Sequence, residues 1–152
     1  MIKPTKTYFT NEFIPKLELG RIYEDKALYK SLKYYEKDGI TLLETNNNFK
    51  YDFVLSNGLK YEVKADIKAV LTNNIFIEYL QFNIPSGIDR TESDYYIIII
   101  PLSEYILIKT NIIKKLINDK QYKFIIKQNK RNNFTAGYIF EKHLIIDNGI
   151  LI

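Results

Sequence analysis

Asp52, Glu62 and Lys64 are the residues of this 152-residue chain whose types and spacing could do chemistry together. They lie within Phe49–Lys64, which reads as two extended arms around Ser56-Asn57-Gly58. Side chains alternate along a strand, so Glu62 and Lys64 share one face of the second arm. Two carboxylates on one sheet face can hold a hard divalent cation, with a lysine beside them to meet a phosphate. That set suits hydrolysis of a phosphodiester by metal-bound water.

Hairpin register decides whether the set exists. A two-residue Asn57-Gly58 turn places Asp52 opposite Val63 and turns Glu62 to the other face. A three-residue Ser56-Asn57-Gly58 loop, with Gly58 left-handed, places Asp52 opposite Glu62. A slip of one residue reverses every side chain on an arm, so the expectation is sharp.

Asp52 followed by Glu62-Val63-Lys64 resembles the core motif of the PD-(D/E)XK nuclease superfamily: an acidic residue on one strand, then Glu-x-Lys on the next. Tyr51 stands where the motif's proline would, at a position that varies in that family. The resemblance covers about residues 20–100, and no motif covers the C-terminal third. It implies an α/β, restriction-endonuclease-like mixed β-sheet flanked by helices. It also implies Mg²⁺, with Mn²⁺ as substitute, held by Asp52, Glu62, the Val63 carbonyl and a helical glutamate, for which Glu24 is the candidate. DNA is the implied substrate, with a Holliday junction resolvase-like homodimer as the leading subtype and a phage or mobile-element nicking or restriction-type enzyme as alternative.

Glu24 lies four residues before Leu28, one turn from the apolar face formed by Ala27, Leu28, Ser31, Leu32 and Tyr35. It can reach the core edge as a metal-shell residue or pair with Lys30. Glu78 interrupts Phe76-Ile77-Glu78-Tyr79-Leu80 and needs a partner if buried, either as a fourth acidic site residue or with Lys64. Ser86, Gly87 and Thr91, in the turn before Ser93-Asp94, can donate hydrogen bonds to a phosphate, and Arg90 can contact the backbone. Lys127, Lys130 and Arg131 fall in a polar, basic loop over Gln128–Thr135 and its approach, with Phe134 available for stacking. His143 reads as structural, in a strand over Gly137–Ile146.

Composition narrows the chemistry further. With no cysteine and one histidine, thiolate and histidine-rich metal sites are excluded, leaving oxygen ligands and hard cations. The net charge is +4, unevenly placed. Residues 1–100 carry 13 Lys+Arg against 14 Asp+Glu, and residues 101–152 carry 9 against 4. A polyanion could be held by the basic part while the acidic part cuts it. The apolar run Tyr95–Ile100 is too short to span a bilayer and reads as a buried strand. With no apolar N-terminal leader, a cytoplasmic, non-membrane protein is expected.

The remaining elements follow from periodicity. Thr10-Asn11-Glu12-Phe13 suits the cap of a short helix with Pro15 in its first turn, and Gly20–Asp38 a long helix stopped by Gly39. Strands are expected over 40–44, 74–82, 94–102, 105–109 and 122–127, and a helix over 111–119. One domain accounts for the length. A nucleic-acid-binding module without catalysis, and an interaction protein with a merely structural acidic cluster, are the rival readings.

Overall fold

The computed structural model describes the backbone of residues 5–46, 50–130 and 133–152, and side chains from residue 18 onward outside 47–49 and 130–133. Helix α1 (Thr5–Tyr34) leads through a 3-10 turn (Glu36–Asp38) to strands β1 (Leu42–Thr45), β2 (Phe53–Leu55) and β3 (Lys60–Ala65). A short helix α2 (Ala69–Thr72) precedes β4 (Asn74–Gln81) and β5 (Ile84–Pro85). Then come β6 (Tyr95–Ile100), β7 (Glu104–Lys109), α3 (Thr110–Asn118), β8 (Phe124–Lys130), β9 (Asn133–Glu141), α4 (Lys142–Asp147) and β10 (Ile150–Leu151).

Two sheets result, a six-stranded one in the order β1-β2-β3-β6-β7-β10 and a four-stranded one in the order β5-β4-β9-β8. The six-stranded sheet is mixed: β3 and β6 run parallel, and the other pairs antiparallel. The α/β class and the mixed sheet agree with expectation. Helices do not cover both faces alone, however, because the four-stranded antiparallel sheet shares one face with α3 and α4.

The sequence of β6 explains its position. Tyr96, Ile98 and Ile100 are buried against Ile75 and Ile77 of β4, Ile113 of α3, Phe140 of β9 and Ile145 of α4. Ile97 and Ile99 point the opposite way, into a second core with Phe53, Tyr61, Leu107 and Ala27 of α1. A strand buried on both faces reads as a continuous apolar run, which is what Tyr95–Ile100 is. The α1 stripe is as expected: Ala27 and Ser31 are fully buried, with Leu28, Leu32 and Tyr35 beside them. Ser31 satisfies its hydroxyl on the Ala27 carbonyl at 2.8 Å.

Several sequence expectations are corrected. Residues 5–34 form one helix, so Thr10 is a helix interior residue and not a cap. The polar stretch over 128–135 is mostly strand, because pairing of β8 with β9, from Phe124↔Ile139 to Lys130↔Asn133, outweighs its composition. Residues 142–146, expected to continue a strand, form α4, which buries Ile145; a short apolar run does not distinguish the two. His143 is exposed there, with Nδ1 3.1 Å from Glu141 Oε2. Among the described residues no helix is long and apolar enough to cross a membrane.

Candidate active site

The β2–β3 hairpin adopts the register that the chemistry requires. Phe53 pairs with Tyr61 and Val54 with Lys60, which leaves a three-residue Ser56-Asn57-Gly58 loop. Gly58 has φ +78°, a left-handed conformation that side chains disfavour. Its N–H reaches the Leu55 carbonyl at 2.9 Å, and the Asn57 carboxamide accepts the Leu59 N–H at 3.0 Å. On the α1 face Phe53, Tyr61 and Tyr95 stack across three strands, with centroids 5.2 and 5.6 Å apart and near-parallel rings. Slipping the hairpin by one residue would eject Tyr61 from that stack.

On the opposite face the register sets Asp52 beside Glu62. Asp52 sits one residue before β2, its N–H on the Tyr61 carbonyl at 2.8 Å. Its Oδ2 accepts the Val63 N–H at 2.6 Å. Asp52, Glu62, Val63 and Lys64 line a cavity of about 600 Å³ with Phe76 and Glu78 of β4 and Tyr96 of β6. Glu62 Oε2 is buried with no hydrogen-bond partner. Beside it in register, the buried Tyr96 hydroxyl meets no partner in hydrogen-bond geometry, and burial, then the charge of Glu62, push its pKa up.

Burial makes this an uncomfortable place for negative charge. Desolvation pushes Glu62 up to about 8, with the charges of Asp52 and Glu24 adding and Lys64 opposing. Asp52 is pushed up to about 6 by burial; the Val63 N–H pulls it down and Glu24 pushes it further up. Glu24 itself is raised, chiefly by burial and then by Asp25. The helical glutamate is thus close enough for its charge to bear on both carboxylates, but it does not line the cavity. Lys64 makes no ion pair among the described residues; its Nζ stands 5.3 Å from the centre of the Phe76 ring.

Glu78 lies on the cavity wall, where its Oε1 accepts the Ser86 hydroxyl at 2.7 Å. It is therefore not the partner of Lys64. Ser86, Gly87 and Arg90 also line the cavity. Thr91 does not: its hydroxyl is taken up by the Lys50 carbonyl at 3.0 Å and Ser93 Oγ at 2.8 Å, where it fixes the loop and has no hydrogen free for a phosphate. Lys127 is exposed on β8 and, by strand alternation, points away from the face that carries Phe124, Ile126 and Gln128. The Lys130 side chain and Arg131 lie outside the described residues.

Three contributors escaped sequence reasoning. Tyr96 enters the cavity only because β3 and β6 pair in parallel, Glu62 against Tyr96. Asp66 is buried at the end of β3, where Oδ1 accepts the Ala69 N–H at 3.1 Å and Oδ2 the Phe76 N–H at 2.9 Å. One carboxylate thereby caps α2 and fixes β4 relative to β3. Phe82, at the tip of the β4–β5 hairpin, lines the cavity mouth with φ +53°, followed by Asn83 at +60°. Asn83 in a two-residue link between apolar strands was the available signal for that turn.

An oxygen-only donor set with one orphaned buried carboxylate oxygen is the chemistry that a hard cation satisfies. Among the described residues no three acidic or histidine side chains converge into a ready-made cage. The protein thus offers two carboxylates and leaves the rest to backbone, water and substrate, as Mg²⁺ sites on phosphate substrates commonly do. No protein-family model, curated protein or solved structure matches the chain.

Proposed function

We propose that this protein is a metal-dependent endonuclease that hydrolyses phosphodiester bonds of DNA, with a restriction-endonuclease-like organisation of α1, the β1–β2–β3 meander and β6. The observation that carries the reading is the pairing of Asp52 with Glu62 in a half-buried cavity, one buried Glu62 oxygen orphaned and Lys64 two residues away. Structural ion pairs on a solvated face would be neutralised by partners, and these carboxylates are not.

Asp52 and Glu62 would hold Mg²⁺ or Mn²⁺, with the Val63 carbonyl as a further donor and Glu24 supporting them electrostatically. When bound, the cation supplies charge neutralisation at the phosphate and acidifies a water. Lys64 lines the cavity and makes no ion pair among the described residues, so its ammonium can meet a phosphate oxygen and orient the attacking water. We assign it this role rather than that of a base, because orienting water and neutralising charge on the phosphate are what this chemistry asks of the protein. The Val63 N–H holds Asp52 in place, leaving Oδ1 as its outward donor. Ser86 spends its one hydroxyl hydrogen on Glu78, so contrary to the sequence expectation that hydroxyl fixes the Glu78 carboxylate at the cavity wall and does not donate to a phosphate. Arg90 stands on the same wall and suits a flanking phosphate. A homodimer would set two such sites against opposite strands of a junction.

The test is cleavage of a four-way junction, a linear duplex and a single strand in Mg²⁺, Mn²⁺ or EDTA, wild type beside Lys64→Ala. Metal-dependent cutting reduced by about a hundredfold or more in Lys64→Ala is expected. Cutting that persists in EDTA, or at the wild-type rate in Lys64→Ala, would overturn the assignment. The preferred substrate, with the mass in solution, would name the subtype.

A further inference from the structure

Lys64 and Phe76 border a second hollow as well as the first. It has a volume of about 440 Å³ and lies between the end of β3 and the free face of the four-stranded sheet. That face follows from register. Phe76, Ile139 and Phe124 form one row across β4, β9 and β8, and Glu78, Gly137 and Ile126 form the next. Gly137 carries no side chain in the middle of the second row, and the Phe76 ring lies over it, where a Cβ would stand 2.1 Å away. The outcome is a shallow apolar floor running from an exposed aromatic at Phe124 to the edge of the carboxylate cavity.

Its surroundings are not those of a protein-docking face. Lys64 and Lys68 stand on one side, and Gln128 and Thr135 offer amide and hydroxyl groups on the other. Flat apolar and aromatic surface, cations for a phosphate and a few hydrogen-bonding groups together match a nucleotide. Phe124 is 48% exposed, so its ring is available to a ligand.

We propose that this hollow is a base-stacking subsite for an unpaired nucleotide next to the scissile phosphate, seated on Phe124 and Ile126 with its phosphate toward Lys64 and Lys68. The proposal rests on the phosphodiesterase reading for what happens next door, and it names the substrate class: DNA with unpaired nucleotides at the cut, single-stranded, flapped or branched. A continuous duplex keeps its bases stacked inside and cannot place one on this floor.

Binding measured without cleavage tests it. Fluorescence anisotropy in EDTA would compare a labelled 12-nucleotide single strand with a blunt 12-base-pair duplex, on wild type, Phe124→Ala and Phe124→Trp. Loss of one stacking partner should weaken single-strand binding roughly tenfold in Phe124→Ala. Duplex binding should stay within about twofold, and Phe124→Trp should restore the single-strand affinity. Equal loss on both ligands, no loss on either, or failure of a folded Phe124→Trp to restore binding would overturn the subsite. The same strands incubated with Mn²⁺ separate the two readings. Phe124-dependent binding without any cutting would sink the nuclease and keep the subsite; cutting with unchanged binding in Phe124→Ala would do the reverse.

Discussion

Glu62→Gln should alter the pH dependence of stability in a way that few surface substitutions could. In the folded, metal-free protein Glu62 titrates near 8 in place of 4.5, because burial and its carboxylate neighbours oppose its charge. A raised folded value means stability that is complete in acid and lost as the pH climbs. Between the two values the unfolded chain has released the proton while the folded one retains it. From about pH 5.5 to about pH 9 this loss integrates to about 3 kcal/mol at 1.36 kcal/mol for each pH unit up to 8. Glutamine keeps the shape and cannot ionise. Its own amide penalty is the same at both pH values and cancels when the differences are compared. Urea unfolding in EDTA at the two pH values, wild type beside Glu62→Gln, is the assay. The wild-type midpoint should fall relative to the variant by about 1.5 M at an m-value of about 2 kcal/mol/M. Saturating Mn²⁺ should return most of that stability to the wild type at the higher pH and little to the variant. A gap between the two proteins that does not change with pH would show that Glu62 does not titrate under burial, and the account of the cavity would be wrong.

Other substitutions probe what surrounds the carboxylates. Asp66→Ala strands two backbone N–H groups at the join of β3 and β4 and should lower unfolding free energy by about 2–4 kcal/mol, read by urea titration; an effect below about 1 kcal/mol would remove Asp66 from the framework. Gly137→Ala should be destabilising by about 2 kcal/mol, since its methyl would meet both the Phe76 ring and the Ile77 carbonyl. A thermal melt unchanged from wild type would contradict that packing. Phe82→Gly removes a half-exposed ring but relieves a left-handed backbone, so stability should hold or rise by up to about 1 kcal/mol. A drop larger than that in calorimetry would mean that the ring contributes more than the strain takes away.

The parts of the site legible in the sequence were those fixed by local rules. Gly58 chose the loop, the loop chose the register, and alternation then placed Asp52, Glu62 and Lys64 on one face. The α1 stripe around Ala27 and Ser31 and the apolar run of β6 were readable for the same reason: periodicity and composition suffice when the partner is simply a core. Tyr96, Asp66 and the floor around Phe124 depend on pairings between distant segments, for which no local pattern exists. The polar stretch after Lys127 misled because its strand character comes from β9 and β4 rather than from its own residues. Residues 142–146 misled because the three-residue apolar run Leu144–Ile146 satisfies either period, and only the burial of Ile145 decides.

The parallel alignment of β3 with β6 has a consequence for the order in which the molecule assembles. The β2–β3 hairpin closes across a few residues, whereas Tyr61 meets Tyr95 only across the intervening chain that holds β4 and β5. Distant pairings of this kind carry the larger entropic barrier and come late. Asp52 and Glu62 would therefore be neighbours early, while still hydrated, and lose their water only when β4 and β6 shut over them. If so, the penalty of ionising Glu62 falls after the rate-limiting barrier. Raising the pH should then quicken unfolding and leave refolding nearly unchanged, a division that stopped-flow chevrons at two pH values would reveal.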